Sequence, residues 1–189
     1  MEIVKCDKED APKIADAIIN AIGMEMAARL GAERGIEGAK ELFTRVAARE
    51  DSQYSFRNCV KARNDDGCDM GFMISYDGES LHKLRKAFFE EYADMFGIKV
   101  DLGKVPDETD SAELYLDTLS VYPEYRGRGM ATSLIEYAKQ RAKELRKPLG
   151  LLCDKGNLNA RRLYEHVGFK KVGERFFAGE LMDHYIYEN

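Results

Sequence analysis

Apolar and polar positions along this 189-residue chain change their period several times, and each change marks an element. Residues 1–7, with Ile3 and Val4 at their centre, predict a first strand. Behind Asp10, a candidate cap, Ile14, Ile18 and Ile22 fall four apart and predict a helix. Gly31 and Gly35 interrupt, and Ile36, Ala39, Leu42, Phe43 and Val46 then share one face of a second helix. Residues 52–63 and 68–76 predict a hairpin around the turn Asn64-Asp65-Asp66-Gly67. Helical spacing returns with Leu81, Leu84, Phe88, Tyr92 and Met95, followed by a polar stretch, 101–112, broken by Gly103 and Pro106. The remainder predicts a strand over 114–121, a helix over 129–145, and a short apolar strand over 149–153. A helix over 157–167 follows, with Gly168 at its C-terminal cap, and then two strands over 170–177 and 180–187 joined at Ala178-Gly179. A hairpin combined with a strand–helix–strand crossover is an α/β arrangement with a mixed sheet.

Composition narrows the picture. The chain is 44% hydrophobic and 33% charged, enough to bury a core, and without repeats or a Pro/Gly-rich linker it reads as one domain, 1–189. No apolar run reaches the roughly 18 residues of a membrane span, and the first residues lack the apolar centre of a secretory signal. Cys6, Cys59, Cys68 and Cys153 form no C-x-x-C pair, so neither a zinc site nor a disulfide framework is indicated, and a reduced cytoplasmic location is expected. The net charge of −5 divides unevenly. Residues 1–113 carry 16 basic and 24 acidic side chains, net −8, whereas 114–189 carry 13 and 10, net +3. Surface variation accounts for such a split; so does a second half that receives an anion and a first half that receives a cation. With no dense basic stripe, neither nucleic acid nor a membrane surface is an expected partner.

The chemistry concentrates in Tyr122-Pro123-Glu124-Tyr125-Arg126-Gly127-Arg128-Gly129-Met130-Ala131-Thr132. A strand ends, a glycine loop follows, and a helix begins. Backbone N–H groups at a helix start lack intrahelical partners and face the positive end of the helix dipole. Gly127 and Gly129 let a bulky anion approach those groups, and Arg126 and Arg128 add fork-shaped donors suited to phosphate oxygens. Glycine in such a turn also has purely steric uses; the paired arginines favour the phosphate cradle.

Arg126-Gly127-Arg128-Gly129-Met130-Ala131 resembles the R/Q-x-x-G-x-G/A signature of the GNAT superfamily of N-acetyltransferases, and Leu116 to Tyr125 is similar to that family's approach to the loop. Asn157-Leu158-Asn159-Ala160, Leu163-Tyr164-Glu165 and Val167-Gly168-Phe169 are similar to its N-x-x-A-x-x-x-Y-x-x-x-G-F segment. The match is tight over about 113–177, and the segment 80–112 is a variable helical insertion relative to a minimal member. The resemblance implies a mostly antiparallel mixed sheet with splayed central parallel strands, flanked by helices. It implies acetyl-CoA as cosubstrate with no metal, and an amine acceptor, small molecule or peptide. Leu119, Ser120 and Val121 would border the pantetheine, Gly127, Arg128, Gly129, Met130, Ala131 and Thr132 would hold the pyrophosphate beside Arg126, Asn157 would contact the pantetheine arm, and Arg161 the adenosine end.

An alkylammonium of pKa about 10.4 has no free lone pair at neutral pH, so acyl transfer to an amine needs a base; a departing thiolate, near 8.5, leaves better when it meets a proton. Tyr164, at the tyrosine of the second motif, is the expected general acid, against the alternative that it only packs with Leu163 and Val167. Asp117 is the expected base, since a carboxylate in an apolar strand is solvated, paired or functional; Glu113 is the second choice and water a third. His82, His166 and His184 show no metal spacing, and Cys153 reads as a buried small hydrophobe. The 81–96 stripe reads as core or subunit contact, with a lid over the acceptor pocket as the sharper alternative. A homodimer through edge strands or that helix is compatible with the sequence. The rival to an acetyltransferase is a CoA-binding sensor of the same fold without turnover. A polyamine, an amino sugar and a peptide amine all suit the acidic first half as acceptors.

Overall fold

The computed structural model describes residues 1–188. Seven strands form one sheet: β1 (Glu2–Lys5), β2 (Cys59–Arg63), β3 (Asp69–Asp77), β4 (Leu114–Val121), β5 (Leu149–Cys153), β6 (Lys170–Phe177) and β7 (Glu180–Tyr187). Their order is β1-β2-β3-β4-β5-β7-β6, antiparallel throughout except between β4 and β5. This is the mixed sheet expected from the hairpin and the crossover.

Helices cover both faces. On one lie α1 (Ala11–Ile22), α2 (Met24–Leu30), α3 (Gly35–Ala48) and α4 (Leu81–Phe96); on the other lie α5 (Met130–Leu145) and α6 (Leu158–His166). The isoleucine stripe of α1 and the Leu42, Phe43 and Val46 stripe of α3 pack on Phe72 and Ile74 of β3. Leu134, Ile135, Ala138 and Ala142 of α5 pack on Leu114, Leu116, Leu149, Leu151 and Tyr185. The aromatic stripe of α4 is core: Phe88 stacks with Tyr92 and meets Phe43 and Tyr54 within 6.1 Å, and Tyr92 contacts Phe96. This packing fits the core reading of the helix.

Three local expectations are corrected. Residues 52–58 are not strand; Ser52 and Ser55 hydroxyls accept from the backbone N–H groups of Tyr54 and Arg57, and the Asn58 amide donates to the carbonyls of Ser52 and Gln53. Such local bonds satisfy the backbone without a ladder, so β2 begins only at Cys59. The interruption before α3 contains a further short helix, α2, between glycines. Asp10 precedes α1 without capping it through its side chain, because its carboxylate is held by the buried Lys61 ammonium at 2.5 and 2.6 Å.

The stretch between α4 and β4 is tied down. Arg85 of α4, 4% exposed, donates to the carbonyls of Val105 and Pro106 and to the carboxylates of Asp107 and Glu108. At the other end, Gly78 donates to Glu113 O at 2.9 Å and lies flush against the Asp110 carbonyl, where a Cβ would come within 2.0 Å of the oxygen. Backbone cannot yield there as a flexible side chain could. G78A should therefore destabilise the fold by about 2 kcal/mol, lowering the melting midpoint by roughly 4–8 °C in a thermal denaturation series.

Candidate active site

The parallel pair β4/β5 holds together only briefly, with Leu114 opposite Leu149 and Tyr115 opposite Gly150. Beyond Tyr115 the strands part. The register of β4 on β3 shows why: Ser75 pairs with Leu116 and Ile74 with Thr118, leaving Asp117 as an extra residue without a partner. An inserted residue bends and twists its strand locally, and here it bends β4 away from β5.

The consequence for the backbone is direct. Tyr122 N–H donates to Met70 O at 3.0 Å, so Tyr122 and Ser120 turn their polar groups to β3, and by alternation Leu119 and Val121 turn theirs into the gap. The Val121 carbonyl accepts from Arg126 Nε at 3.0 Å, which folds that arginine back over the strand end. The Leu119 groups have no partner strand on that side. An extended ligand can bind such an edge as an added strand does.

A cavity of about 630 Å³ fills the gap. Its wall comprises Leu119, Ser120, Val121, Tyr125, Arg126, Gly127, Gly129, Met130, Ala131 and Thr132 on one side, Asn159, Ala160, Leu163 and Tyr164 of α6 on another, and Asn20 of α1. Helix α5 starts at Met130 with no side-chain cap, and its first backbone bond runs from Ser133 N–H to Gly129 O, leaving the N–H groups of Met130, Ala131 and Thr132 without intrahelical partners. Gly127 and Gly129 have φ of 72° and 81°, in the left-handed region, and the space where a Cβ would project is open at both. Open backbone, a positive dipole end and Arg126 beside it are the features that an anion site requires.

The structure does not bring every expected residue to this wall. Arg128 lies over the Tyr125 ring, 6.0 Å from its centroid. Asn157 caps α6, accepting from Ala160 N–H at 3.1 Å, and Arg161 is exposed and paired with Glu165 at 2.8 Å. Asn159, two residues on in the same motif, lines the cavity. Asn20 carried no signal at all, because its role depends on which helix end the sheet brings to the gap.

Tyr164 stands on the cavity wall beside Phe169, with ring centroids 5.8 Å apart. Burial, and then the neighbouring Cys153, push its phenol well above the usual tyrosine range, so it keeps its proton and can donate it. The Cys153 thiol is likewise pushed up, to about 11, mainly by burial, which suits an inert hydrophobe.

Asp117 sits on the other face of the sheet. Because it is the bulge residue, it shares a face with Thr118, whose hydroxyl donates to Asp117 Oδ1 at 2.8 Å. Around it stand Tyr54, Tyr76, Tyr115 and Glu108, and the phenols of all three tyrosines are pushed well above their ordinary range, first by burial and then by the Asp117 and Glu108 carboxylates. Burial, followed by the Glu108 charge, pushes Asp117 itself up to about 7. Tyr54 and then Tyr164 add smaller contributions to the rise at Tyr115. Glu113 is buried and engaged elsewhere, accepting from Thr109 Oγ1 and meeting His184 Nε2, each at 3.2 Å. Among the described residues no three His, Cys, Asp or Glu side chains are grouped to hold a metal ion.

Comparison with known proteins agrees with this geometry. Residues 36–169 match the family model described as the acetyltransferase (GNAT) family. A crystal structure of an acetyltransferase is 26% identical, covers 100% of this chain and 99% of its own, and superposes with a TM-score of 0.78. An N-acetyltransferase from Staphylococcus aureus Mu50 is 22% identical with a TM-score of 0.82, covering 99% of this chain and 100% of its own, a likeness of fold. No curated protein matches the sequence.

The Asp117 setting has a measurable consequence for stability. A carboxyl raised in the folded state is favoured in its neutral form, so its contribution is complete below the unfolded value near 4 and is lost as pH rises through about 7. D117N, which cannot ionise, should therefore gain on the parent by several degrees in melting midpoint between pH 4 and pH 8; midpoints that stay parallel across that range would contradict the assignment.

Proposed function

Because the chain belongs to the GNAT acetyltransferase family, we propose that it moves an acetyl group from acetyl-CoA to an amine, with Tyr164 serving the departing thiolate and Asp117 receiving the acceptor's proton. The observation that carries this reading is one continuous surface: the uncapped start of α5 opens onto a cavity that follows the unpaired stretch of β4 to Tyr164. The residues suit the coenzyme along that length. N–H groups of 130–132 and the open positions at Gly127 and Gly129 suit a diphosphate, and the free backbone of Leu119 suits an amide-bearing arm. When bound, the coenzyme supplies the thioester carbonyl that an amine attacks.

Each side chain then has one task. Arg126, with one guanidinium nitrogen on the Val121 carbonyl, keeps the loop closed against the strand while lending its charge to the cradle. Tyr164 holds its proton at neutral pH and donates it toward the cavity. Asp117, raised to about 7, is far better matched to deprotonating an ammonium than an ordinary carboxylate, whose conjugate acid is too strong. The acidic first part of the chain, net −8 over residues 1–113, favours a cationic acceptor over an anionic one.

Binding and turnover separate the enzyme from a sensor. Acetyl-CoA or CoA at a hundredfold excess over its dissociation constant should raise the melting midpoint by about 5–10 °C, and G129L, which places a side chain in the cradle at a left-handed φ, should lose most of that shift. In a thiol-release assay across polyamines, amino sugars and peptide amines, Y164F should lose about a hundredfold in kcat while retaining the coenzyme-induced shift. Coenzyme binding without thiol release from any amine would favour the sensor.

A further inference from the structure

Glu108 is the deepest charged side chain near Asp117, 1% exposed, in a stretch that sequence alone marks only as polar. It accepts from three donors: the Tyr76 hydroxyl at 2.9 Å, the Gln53 amide at 3.2 Å, and the Arg85 guanidinium. Holding the 105–108 stretch in place does not require it. Arg85 already grips the Val105 and Pro106 carbonyls and the Asp107 carboxylate, at 2.9–3.2 Å. A buried ion pair is also a poor way to gain stability, since well-packed apolar side chains of similar volume do as well or better. The arrangement further leaves Gln53 Oε1 buried without a hydrogen-bond partner, a cost that packing alone would not select. What remains for Glu108 is the Tyr76 hydroxyl, and through it Asp117.

A phenol has one hydrogen to give. Directed to Glu108, that hydrogen is withheld from Asp117, whose ionised form a phenol hydrogen bond would favour. We propose that Glu108, clamped by Arg85, is a positioning residue that acts through the Tyr76 hydroxyl to prepare Asp117 as the proton acceptor. The inserted stretch between α4 and β4 then has the task of delivering that carboxylate. This rests on the reading of Asp117 as the base. The groups facing Asp117 are Thr118 and Tyr115 from β4, Tyr76 from β3, Tyr54 from the turn before β2, and Glu108 with its Arg85 partner from the insertion; Glu108 and Arg85 are the charged members of that shell.

In E108Q, the new amide donates to Tyr76, the hydroxyl hydrogen turns to Asp117, and the negative charge is gone; both changes favour ionised Asp117. The acidic limb of kcat/KM should move to lower pH by about one unit, and the plateau should fall as the base weakens. A carboxyl-carbon NMR titration of Asp117 should move in the same direction, independently of turnover. R85M/E108L removes both charges with apolar side chains and carries the same expectation where E108Q does not fold. A titration of Asp117 unchanged in a folded variant overturns the proposal. A titration that moves while the acidic limb stays supports the coupling and instead rejects Asp117 as the base.

Discussion

The separation of β4 from β5 is the constraint on which the rest of this molecule depends. A parallel pair that continued along its length would join the backbone of Leu119 and Val121 to a neighbouring strand and close the space between α5 and α6. One unpaired residue, Asp117, prevents that by bending β4 after only two parallel pairs. The same residue then performs the opposite service on the far face. Two positions from Tyr115, its side chain shares that residue's face, and the extra position brings Thr118 onto the same face beside it. Cavity and carboxylate thus meet at one residue.

Electrostatics divides the site into two ends. At the start of α5 the functional groups are fixed dipoles and one arginine, arranged in the open, where an anion can replace water without reorganisation of the protein. Around Asp117 the groups are buried and ionisable, and their proton affinities depend on one another. A carboxylate near Glu108 and three phenols is held far from its ordinary acidity by lost hydration first and by like charge second. The first end would bind a ligand and the second would move a proton, which is the division of labour acyl transfer to an amine requires. The strict burial of the Arg85 clamp matters to this division, because a solvated Glu108 would be screened from its neighbour.

Much of this was legible beforehand, and the reasons are local. Strands and helices followed from the period of apolar positions, and the cradle from glycines and arginines placed between a strand and a helix. Asn157 shows what local reading leaves open: the motif draws attention to it, and only the fold shows that its side chain caps α6 while Asn159 lines the cavity. Residues 52–58 show the same limit, since serine and asparagine side chains met the backbone's hydrogen-bonding needs that a ladder was expected to meet. Asp117 stood out as a lone carboxylate in an apolar strand, yet nothing in its neighbours along the chain reveals that it is a bulge.

What the sequence alone determined is therefore the class of the fold, the glycine–arginine turn before α5 and the family, because each depends on residues close together along the chain. Tertiary structure alone decided that β4 and β5 part after Tyr115, that Asn20 reaches the cavity, and that Arg85, Glu108 and Tyr76 meet in one buried cluster near Asp117. Those facts join residues tens of positions apart. Burial creates the interactions that matter among them, and burial is a property of the packed chain rather than of any segment of it.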